Sequence, residues 1–310
     1  RIKMNKDSKI FISSHKSMEG VALKKFLLLH EYKNIVTHQG KEDLQDFFKV
    51  NRPDYVFLLG ESSGGIKANI EKPATLMIQN IMTATEILNF SNIYGVKKLI
   101  YLASSCVYPK DINQRLSPEM IMSNCLEPTN SAYATAKIAG LELVKGIRKE
   151  FSKDFISCIS ANCYGPHDDF ISEDAHVISS LFRKTFDAMK IKNDAVKVWG
   201  SGKPIRDFIF VDDLAEAMVF LMNNYDDDSP INISRGESIT IREIAQKITK
   251  ICGFKGNLVF DKSKPDGMKK KILNNKELRL LGWESGHSLD KGLKLTYDWL
   301  LKNPVLAEKV

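Results

Sequence analysis

The chain has 310 residues, of which 43% are hydrophobic and 27% are charged, so it can form one large domain or a core domain with a smaller second one. Its net charge of +7 comes from basic residues scattered along the sequence. Because no arginine-rich or aromatic-interleaved block is present, we expect no nucleic-acid partner. Five scattered cysteines without Cys-x-x-Cys spacing argue against a disulfide framework and against a metal site.

No apolar stretch is long enough to span a bilayer. The segment at residues 1–9 is polar and basic and lacks the apolar core of a signal peptide. We therefore expect a cytoplasmic protein with reduced cysteines and no membrane partner. The excess of positive charge suits an anionic small molecule, for which a few cationic side chains are enough.

The first half of the sequence alternates short apolar runs with helical patterns. Strands are predicted at residues 10–12, 34–36, 55–59, 99–103 and 155–160, and helices at residues 20–29, 74–90 and 131–150. This alternation is typical of a Rossmann-like, doubly wound parallel sheet of the α/β class. Ligands of such sheets bind beyond the carboxyl ends of the strands, so we expect the functional residues to follow the strands directly.

The second half has shorter strands and a different order of elements. Helices are predicted at residues 176–189, 213–222 and 240–252, and strands at residues 196–199, 208–211 and 258–260. We interpret this half as a smaller C-terminal α/β substrate-binding lobe. The predicted domains are residues 1–165 and residues 166–310, with part of residues 206–225 returning to the first domain.

The candidate catalytic residues lie near the middle of the chain. Ser104 directly follows the strand at 99–103, and the helix at 131–150 carries Tyr133 and Lys137. Positions i and i+4 share one helix face, and a nearby ammonium lowers the pKa of a phenol, so this tyrosine suits proton donation to a carbonyl oxygen. A serine after the strand can hydrogen-bond to the same oxygen. An isolated Tyr-x-x-x-Lys is more often a surface pair, and only the order of strand, serine-rich turn and helix makes it specific.

Further motifs accompany these residues in a fixed order. They are Ser104 to Lys110, Glu127 to Asn130, Tyr133 to Gly140, Asn162, Tyr164 to Phe170, His176 to Ile178, Val198 to Pro204, Arg206, Val211 to Asp213, Ser263 to Gly267 and Leu281 to Trp283. With these motifs the chain resembles the extended short-chain dehydrogenase/reductases and, within them, the GDP-L-fucose synthases. The resemblance covers about residues 9 to 300.

The resemblance implies an enzyme of nucleotide-sugar biosynthesis that uses NADPH and a GDP-4-keto-6-deoxy-sugar, either a hexose or a heptose. Carbons 3 and 5 are epimerised and carbon 4 is then reduced. By the matching motifs, Tyr133 would protonate the oxygen on carbon 4, and Lys137 would tune Tyr133 and hold the nicotinamide ribose. Ser104 would orient the keto oxygen. Cys106 and His176 would be the base and the acid of the epimerisation.

The resemblance also implies a nucleotide-sugar site and a homodimer. The residues around the nucleotide-sugar would be Asn162, Val177, Lys184, Trp199, Arg206 and Lys264. The dimer would form through the helices near residues 74–90 and 131–150. Three residues also have ordinary structural interpretations: Cys106 as a small buried hydrophobe, His176 as a polar contact at a helix start, and Trp199 as part of the core.

The cofactor end departs from the family in the turn after the first strand. The family has three glycines there, and the matching residues that we expect to contact the cofactor are Ser14, His15, Lys16, Ser17, Met18 and Gly20, together with Lys137. Only Gly20 remains a glycine, and serine adds bulk where the backbone approaches the pyrophosphate. Glu19 puts a negative charge near the start of the helix, where it would repel a bound phosphate.

Two further departures follow the second and third strands. After Val36, the arginines that hold the 2′-phosphate of NADPH in the family are replaced by Thr37 to Lys41, a shorter segment whose cationic residues are His38 and Lys41. After the third strand, Glu61 adds another negative charge in place of a small apolar run. The departures concentrate on one ligand, while the sugar-side motifs match.

We therefore predict that NADPH binding is weakened, altered or lost. Three functional hypotheses follow from the sequence. The first is a GDP-L-fucose synthase-like epimerase and reductase, and the second is an epimerase acting at carbons 3 and 5 without the reductase step. The third is a non-catalytic subunit that pairs with an active homologue.

Overall fold

The computed structural model describes residues 3–40, 42–60, 65–173 and 175–303. Two residues of the sequence-based hypothesis on the cofactor, Lys41 and Glu61, lie outside these ranges. Among the helices of the described part of the chain, none is long and apolar enough to cross a membrane.

Strands and helices alternate through most of the chain. The strands are β1 (Ile10–Ile12), β2 (Ile35–Val36), β3 (Tyr55–Leu58), β4 (Lys98–Ser104), β5 (Asp154–Ser160), β6 (Asn162–Tyr164), β7 (Ala195–Trp199), β8 (Ile205–Arg206), β9 (Phe208–Phe210), β10 (Ile231–Ile233), β11 (Ile239–Thr240), β12 (Asn257–Asp261) and β13 (Lys270–Lys271). The α-helices are α1 (Met18–Leu29), α2 (Leu44–Asn51), α3 (Ile66–Glu71), α4 (Pro73–Ile93), α5 (Ser131–Phe151), α6 (Val177–Lys190), α7 (Val211–Asn224), α8 (Ile241–Ile251), α9 (Lys276–Leu280) and α10 (Leu289–Lys302).

The main sheet has six parallel strands in the order β10-β5-β4-β3-β1-β2. All residues of β1 and β3 are buried, as continuous apolar strands covered on both faces should be. Since β1 pairs with β2 on one side and β3 on the other, the strand order reverses at β1. Such a reversal opens a crevice at the carboxyl ends of the strands. The predicted Rossmann-like α/β fold is confirmed.

Two hydrophobic clusters stabilise the fold. The first surrounds the main sheet and includes α7 and β10, which the chain reaches only after leaving the sheet at β6. The second cluster gathers α6, α8 and α10 around Phe182 and Ile248. At the return point α7 packs along α1, and Lys25 Nζ lies 2.9 Å from Asp212 Oδ2. The division into two domains at residue 165 stays a prediction.

Asp207 connects the two parts of the molecule. Its buried carboxylate accepts hydrogen bonds from Ser234 Oγ and, at 3.3 Å, from the backbone N–H of Leu273. Its carbonyl oxygen accepts one from the backbone N–H of Asn162 at 3.2 Å. Burial raises the pKa of Asp207 to about 7, because a carboxylate loses hydration in the interior. One residue thus fixes β6, β9, and the segments after β10 and β13.

The packing of α5 against β4 can be tested at a point where the two elements approach each other closely. A methyl group at Gly140 on α5 would lie 2.4 Å from the ring of Tyr101, a buried side chain of β4. We expect Gly140→Ala to lower the free energy of unfolding by about 1–3 kcal/mol, because an overpacked core must shift to make room. Chemical denaturation monitored by circular dichroism measures this change.

Gly146 provides the matched control on the same helix. A methyl group there meets no atom within 4 Å, so Gly146→Ala should raise the free energy of unfolding by up to about 1 kcal/mol through helix propensity. Equal effects of the two substitutions would contradict the packing described for α5 and Tyr101.

Candidate active site

A cleft opens where the strands of the main sheet end, at the reversal point beside β1. Its polar and charged lining residues come from the first turn of α1, the ends of β4 and β5, α5, β6, the start of α6 and β8. They are Ser17, Glu19, Ser104, Tyr133, Lys137, Ser160, Asn162, Cys163, His176 and Arg206. The sequence-based prediction that functional residues follow the strands therefore brings most of the candidates to one place.

Tyr133 and Lys137 lie on the buried face of α5, with 7% and 3% of their surface exposed. The Lys137 ammonium lies 5.6 Å from the centroid of the Tyr133 ring. A methyl group at Gly60 would lie 3.0 Å from this ammonium, so only glycine leaves the space above Lys137 open. The i, i+4 prediction for this pair matches the geometry.

The pKa of Tyr133 differs from the sequence-based prediction. Burial raises it well above its ordinary value, and Cys106, Tyr101 and Glu19 raise it further. The predicted lowering of this pKa is wrong, because removal of the phenol from water disfavours its charged form. Tyr133 is therefore a protonated phenol, which is the form that donates a proton.

Cys106 lies beside Ser104 and is also neutral. Its side chain is buried, and burial raises the pKa of the thiol. Lys271, a hydrogen bond with Ser104 and Lys137 act in the opposite direction but are weaker. A cation next to a thiol favours the thiolate, so the charge of Cys106 depends on the two lysines that face it.

His176 caps the start of α6 and faces the carboxylate of Asp168. The distance between His176 Nδ1 and Asp168 Oδ1 is 3.5 Å, and Ser179 Oγ donates to the other carboxylate oxygen. Loss of hydration inside the cleft lowers the pKa of His176, but the hydrogen bond and the charge of Asp168 raise it above its ordinary value of 6.5. The carboxylate of Asp168 thus favours the protonated, imidazolium form of His176.

Arg206 lines the cleft, and a second cationic residue, Lys271, lies next to it on the neighbouring strand. Only Arg206 is predicted from the sequence. The two residues are register partners in β8 and β13. Arg206 donates to the carbonyl oxygen of Met268 at 2.6 Å. Burial and the charge of Arg206 lower the pKa of Lys271 to about 8. Lys271 was missed because it is the last of three consecutive lysines, and no sequence pattern tells which of them turns inward.

Three of the candidates for the nucleotide part of the substrate, Trp199, Lys184 and Lys264, form a cluster apart from the cleft. Trp199 is 42% exposed, so it is not part of the core, and it does not line the cleft. The ammonium groups of Lys184 and Lys264 lie 5.3 Å and 5.1 Å from its ring centroid, within cation–π range. Asn162 and Val177 line the cleft itself, where Asn162 Nδ2 donates to the Asp207 carbonyl oxygen.

The turn before α1 keeps a tight shape although two glycines are missing. Ser14 adopts a left-handed conformation with φ of 46°, and Ser17 Oγ caps α1 by accepting from the backbone N–H of Gly20 at 3.1 Å. A methyl group at Gly20 would lie 2.4 Å from the Ser14 oxygen. This close approach, the open space above Lys137, and the basic His15 and Lys16 in the turn fit a nicotinamide dinucleotide.

The positions of His38 and Glu19 bear on the hypothesis that NADPH binding is weakened, altered or lost. His38 Nε2 is engaged with the carbonyl oxygen of Glu42 at 2.8 Å, so the ring is held next to its own loop. Glu19 does not stay at the outer edge of the helix start but lines the cleft with Tyr133 and His176. The sequence indicated its charge but not its direction.

Comparison with known proteins identifies the family of this chain. The sequence model of the NAD dependent epimerase/dehydratase family matches residues 24–234. The chain belongs to this family. This family member is 39% identical to GDP-L-fucose synthase 1 of Arabidopsis thaliana, across 96% of the chain and 95% of the relative. The resemblance to GDP-L-fucose synthases is therefore confirmed.

Two solved structures share the fold of this family member. A GDP-6-OMe-4-keto-L-xylo-heptose reductase from C. jejuni superposes with a TM-score of 0.92 and 28% identity, covering 97% of this chain and 100% of that one. A GDP-L-fucose synthetase from Naegleria fowleri bound to NADP superposes with a TM-score of 0.88 and 30% identity, covering 97% and 95% of the two chains.

The contact between Asp168 and His176 leads to a prediction on pKa. In Asp168→Asn the carboxylate charge is lost, while the amide oxygen can still accept from Ser179. We expect the pKa of His176 to fall, because the position inside the cleft then acts without its counter-charge. Titration of the imidazole nitrogen shifts by NMR measures the change, with exposed His30 as the internal control. An unchanged His176 titration would contradict the contact.

Proposed function

We propose that this enzyme acts on a GDP-4-keto-6-deoxy-sugar, a hexose or a heptose, epimerising the carbons next to the ketone and reducing carbon 4 with NADPH. The observation that carries the proposal is the meeting of Ser104, Tyr133 and His176 in one cleft with the cationic Arg206. The names of the relatives, which are GDP-L-fucose synthases and a GDP-heptose reductase, support the same substrate class.

For the reduction, the chain supplies a proton and an electrostatic setting. The protonated phenol of Tyr133 donates its proton to the oxygen on carbon 4, while Ser104 donates a hydrogen bond to that oxygen. The turn from Ser14 to Gly20 and the ammonium of Lys137 hold the cofactor. When bound, NADPH supplies the hydride that carbon 4 accepts.

For the epimerisation, the chain must remove a proton and return one to the other face. A carbon next to a ketone loses its proton readily when the resulting enolate oxygen is stabilised, and Tyr133 and Ser104 provide that stabilisation. Cys106 removes the proton after its own thiol has been deprotonated, and Lys271 and Lys137 favour the thiolate that forms. The imidazolium of His176 returns a proton to the carbon.

The nucleotide part of the substrate meets the other cationic side chains. Arg206 and Lys271 suit the diphosphate, because a guanidinium and an ammonium bind phosphate oxygens by charge-assisted hydrogen bonds. The exposed ring of Trp199, with Lys184 and Lys264 beside it, is an aromatic surface suited to the guanine. Asn162 and Val177 border the sugar between these two regions.

A second candidate function is epimerisation without reduction, and the observation that favours it is the altered turn with Ser14, Ser17 and Glu19. The decisive experiment incubates the enzyme with GDP-4-keto-6-deoxymannose in heavy water, with and without NADPH. Deuterium at carbons 3 and 5 is followed by mass spectrometry and NADPH by its absorbance. Exchange with NADPH consumption supports the full reaction, and exchange alone supports the epimerase. The absence of both exchange and NADPH consumption would contradict both functions, and would favour a non-catalytic partner subunit or another sugar.

The phenol of Tyr133 gives this experiment a mutational arm. Tyr133→Phe should slow the reduction by about 10²–10⁴-fold, the usual contribution of a positioned general acid, while GDP binding measured by calorimetry stays unchanged. Phenylalanine keeps the ring and loses only the hydroxyl group that donates the proton. A variant that reduces the sugar at the wild-type rate would exclude Tyr133 as the acid.

We further propose a cytoplasmic homodimer formed through α4 and α5. The five cysteines are all unpaired thiols, which suits a reducing compartment. These two helices pack along each other, and α4 presents the apolar side chains Ile78 and Met82, which are 56% and 55% exposed. A partner helix pair of the same kind would cover them.

Charge on this face should separate the subunits. We expect Ile78→Glu combined with Met82→Glu to convert a dimer to a monomer, because buried like charges at a symmetric interface face one another. Light scattering after size-exclusion chromatography measures the mass. Val50→Glu, which changes a 76% exposed apolar side chain on α2, is the control and should keep the dimer. A monomeric wild type, or a dimer that survives both charges, would contradict this interface.

A further inference from the structure

Glu19 is a charged residue of the cleft that the proposed mechanism does not use. It is the second residue of α1 and lines the cleft with Tyr133, Lys137 and Cys163. Among the described residues that line this cleft, it is the one carboxylate. Its negative charge raises the pKa of Tyr133, Cys163 and His176, so its field reaches three different elements of the reacting end.

The nicotinamide ring must enter the same field. Tyr133 reaches the oxygen of the carbonyl group that is reduced, and reacting atoms must come within about 3–3.5 Å of one another. The reacting carbon of a bound ring would therefore lie next to the carbon that bears this oxygen, inside the cleft that Glu19 lines. The reduced ring is neutral and the oxidised ring carries one positive charge.

The other charges of the cleft act against the oxidised ring. Lys137 and Arg206 line the cleft, and Lys271 is the register partner of Arg206 on the neighbouring strand. Lys137 is buried and the other two side chains are half-buried. A cationic surrounding disfavours a positive ring, and a carboxylate at short range reverses this preference. Glu19 also repels the phosphates of the cofactor, but this repulsion is the same for both oxidation states and cancels in their ratio.

We propose that Glu19 makes this cleft bind the oxidised nicotinamide dinucleotide more tightly than the reduced one. The inference rests on the proposed use of a nicotinamide cofactor. Tighter binding of the oxidised form makes the bound reduced form a stronger reductant, by about 30 mV for each tenfold difference in a two-electron couple. It also holds the oxidised product in the cleft after turnover.

The experiment compares the dissociation constants of NADP⁺ and NADPH by calorimetry in the absence of sugar. We expect wild type to bind NADP⁺ about tenfold or more tightly than NADPH, which corresponds to about 1.4 kcal/mol per tenfold. In Glu19→Gln, which keeps the size of the side chain, this preference should be lost or inverted, because the three cations then act on the ring alone. The affinity for NADPH should rise, because the repulsion of the phosphates is relieved, whereas NADP⁺ also loses the attraction between its ring and the carboxylate.

Glu31→Gln is the matched control, since it removes the same charge from an exposed side chain just beyond the other end of α1. It should leave both dissociation constants unchanged. Glu19→Ala is a second variant and should lose the preference like Glu19→Gln, and thermal melting checks that both variants fold.

An equal ratio in wild type and in the Glu19 variants would overturn the proposal. Absence of measurable binding by wild type would overturn it as well, because Glu19 would then block the cofactor and not discriminate between its two forms. Failure of the proposed function is a separate result, since it is seen as the lack of deuterium exchange and reduction of the GDP-keto-sugar, whatever the ratio of the dinucleotide affinities.

Discussion

The structure depends on enclosing cationic side chains around one cleft. Lys137 is almost completely buried, and the pKa values of Lys271 and Arg206 fall to about 8 and about 10 because protein replaces water around them. An ion removed from water loses hydration that only an opposite charge restores. In the proposed complex a nucleotide diphosphate would supply that charge, so ligand binding would also stabilise the cleft.

The fold builds this cleft from two parts that are far apart in sequence. Tyr133 and Ser104 come from the main sheet and its covering helix, whereas Arg206 and Lys271 come from a small sheet of the second half. Asp207 holds the parts together through hydrogen bonds to both. Its neighbour Arg206 lines the cleft, so one short segment carries both the connection between the two parts and a cationic side chain of the cleft.

The sequence predicts most of this arrangement where a pattern has one physical meaning. The continuous apolar runs of β1 and β3 are typical of buried strands. The spacing of four residues on α5 places Tyr133 and Lys137 on one helix face. The short strand β10 was missed because three residues after an irregular loop carry no periodicity. The direction of the Tyr133 pKa was wrong, because sequence spacing shows a nearby ammonium but not the loss of water around the phenol. The inward turn of Glu19 and Lys271 likewise depends on tertiary packing.

The distance between the cluster at Trp199 and the reacting cleft has a consequence for the evolution of this family. Trp199 and its two lysines lie outside the cleft that holds Tyr133 and His176. Binding energy gained at a remote handle can be used to place a reacting group that is itself gripped by few contacts. With the proposed roles, a lineage would keep the nucleotide-binding cluster and the acid–base residues, and acquire a new sugar by changing other side chains that line the cleft, such as Val177 and Cys163. Relatives that act on sugars of six and seven carbons would then differ in a narrow band of the surface.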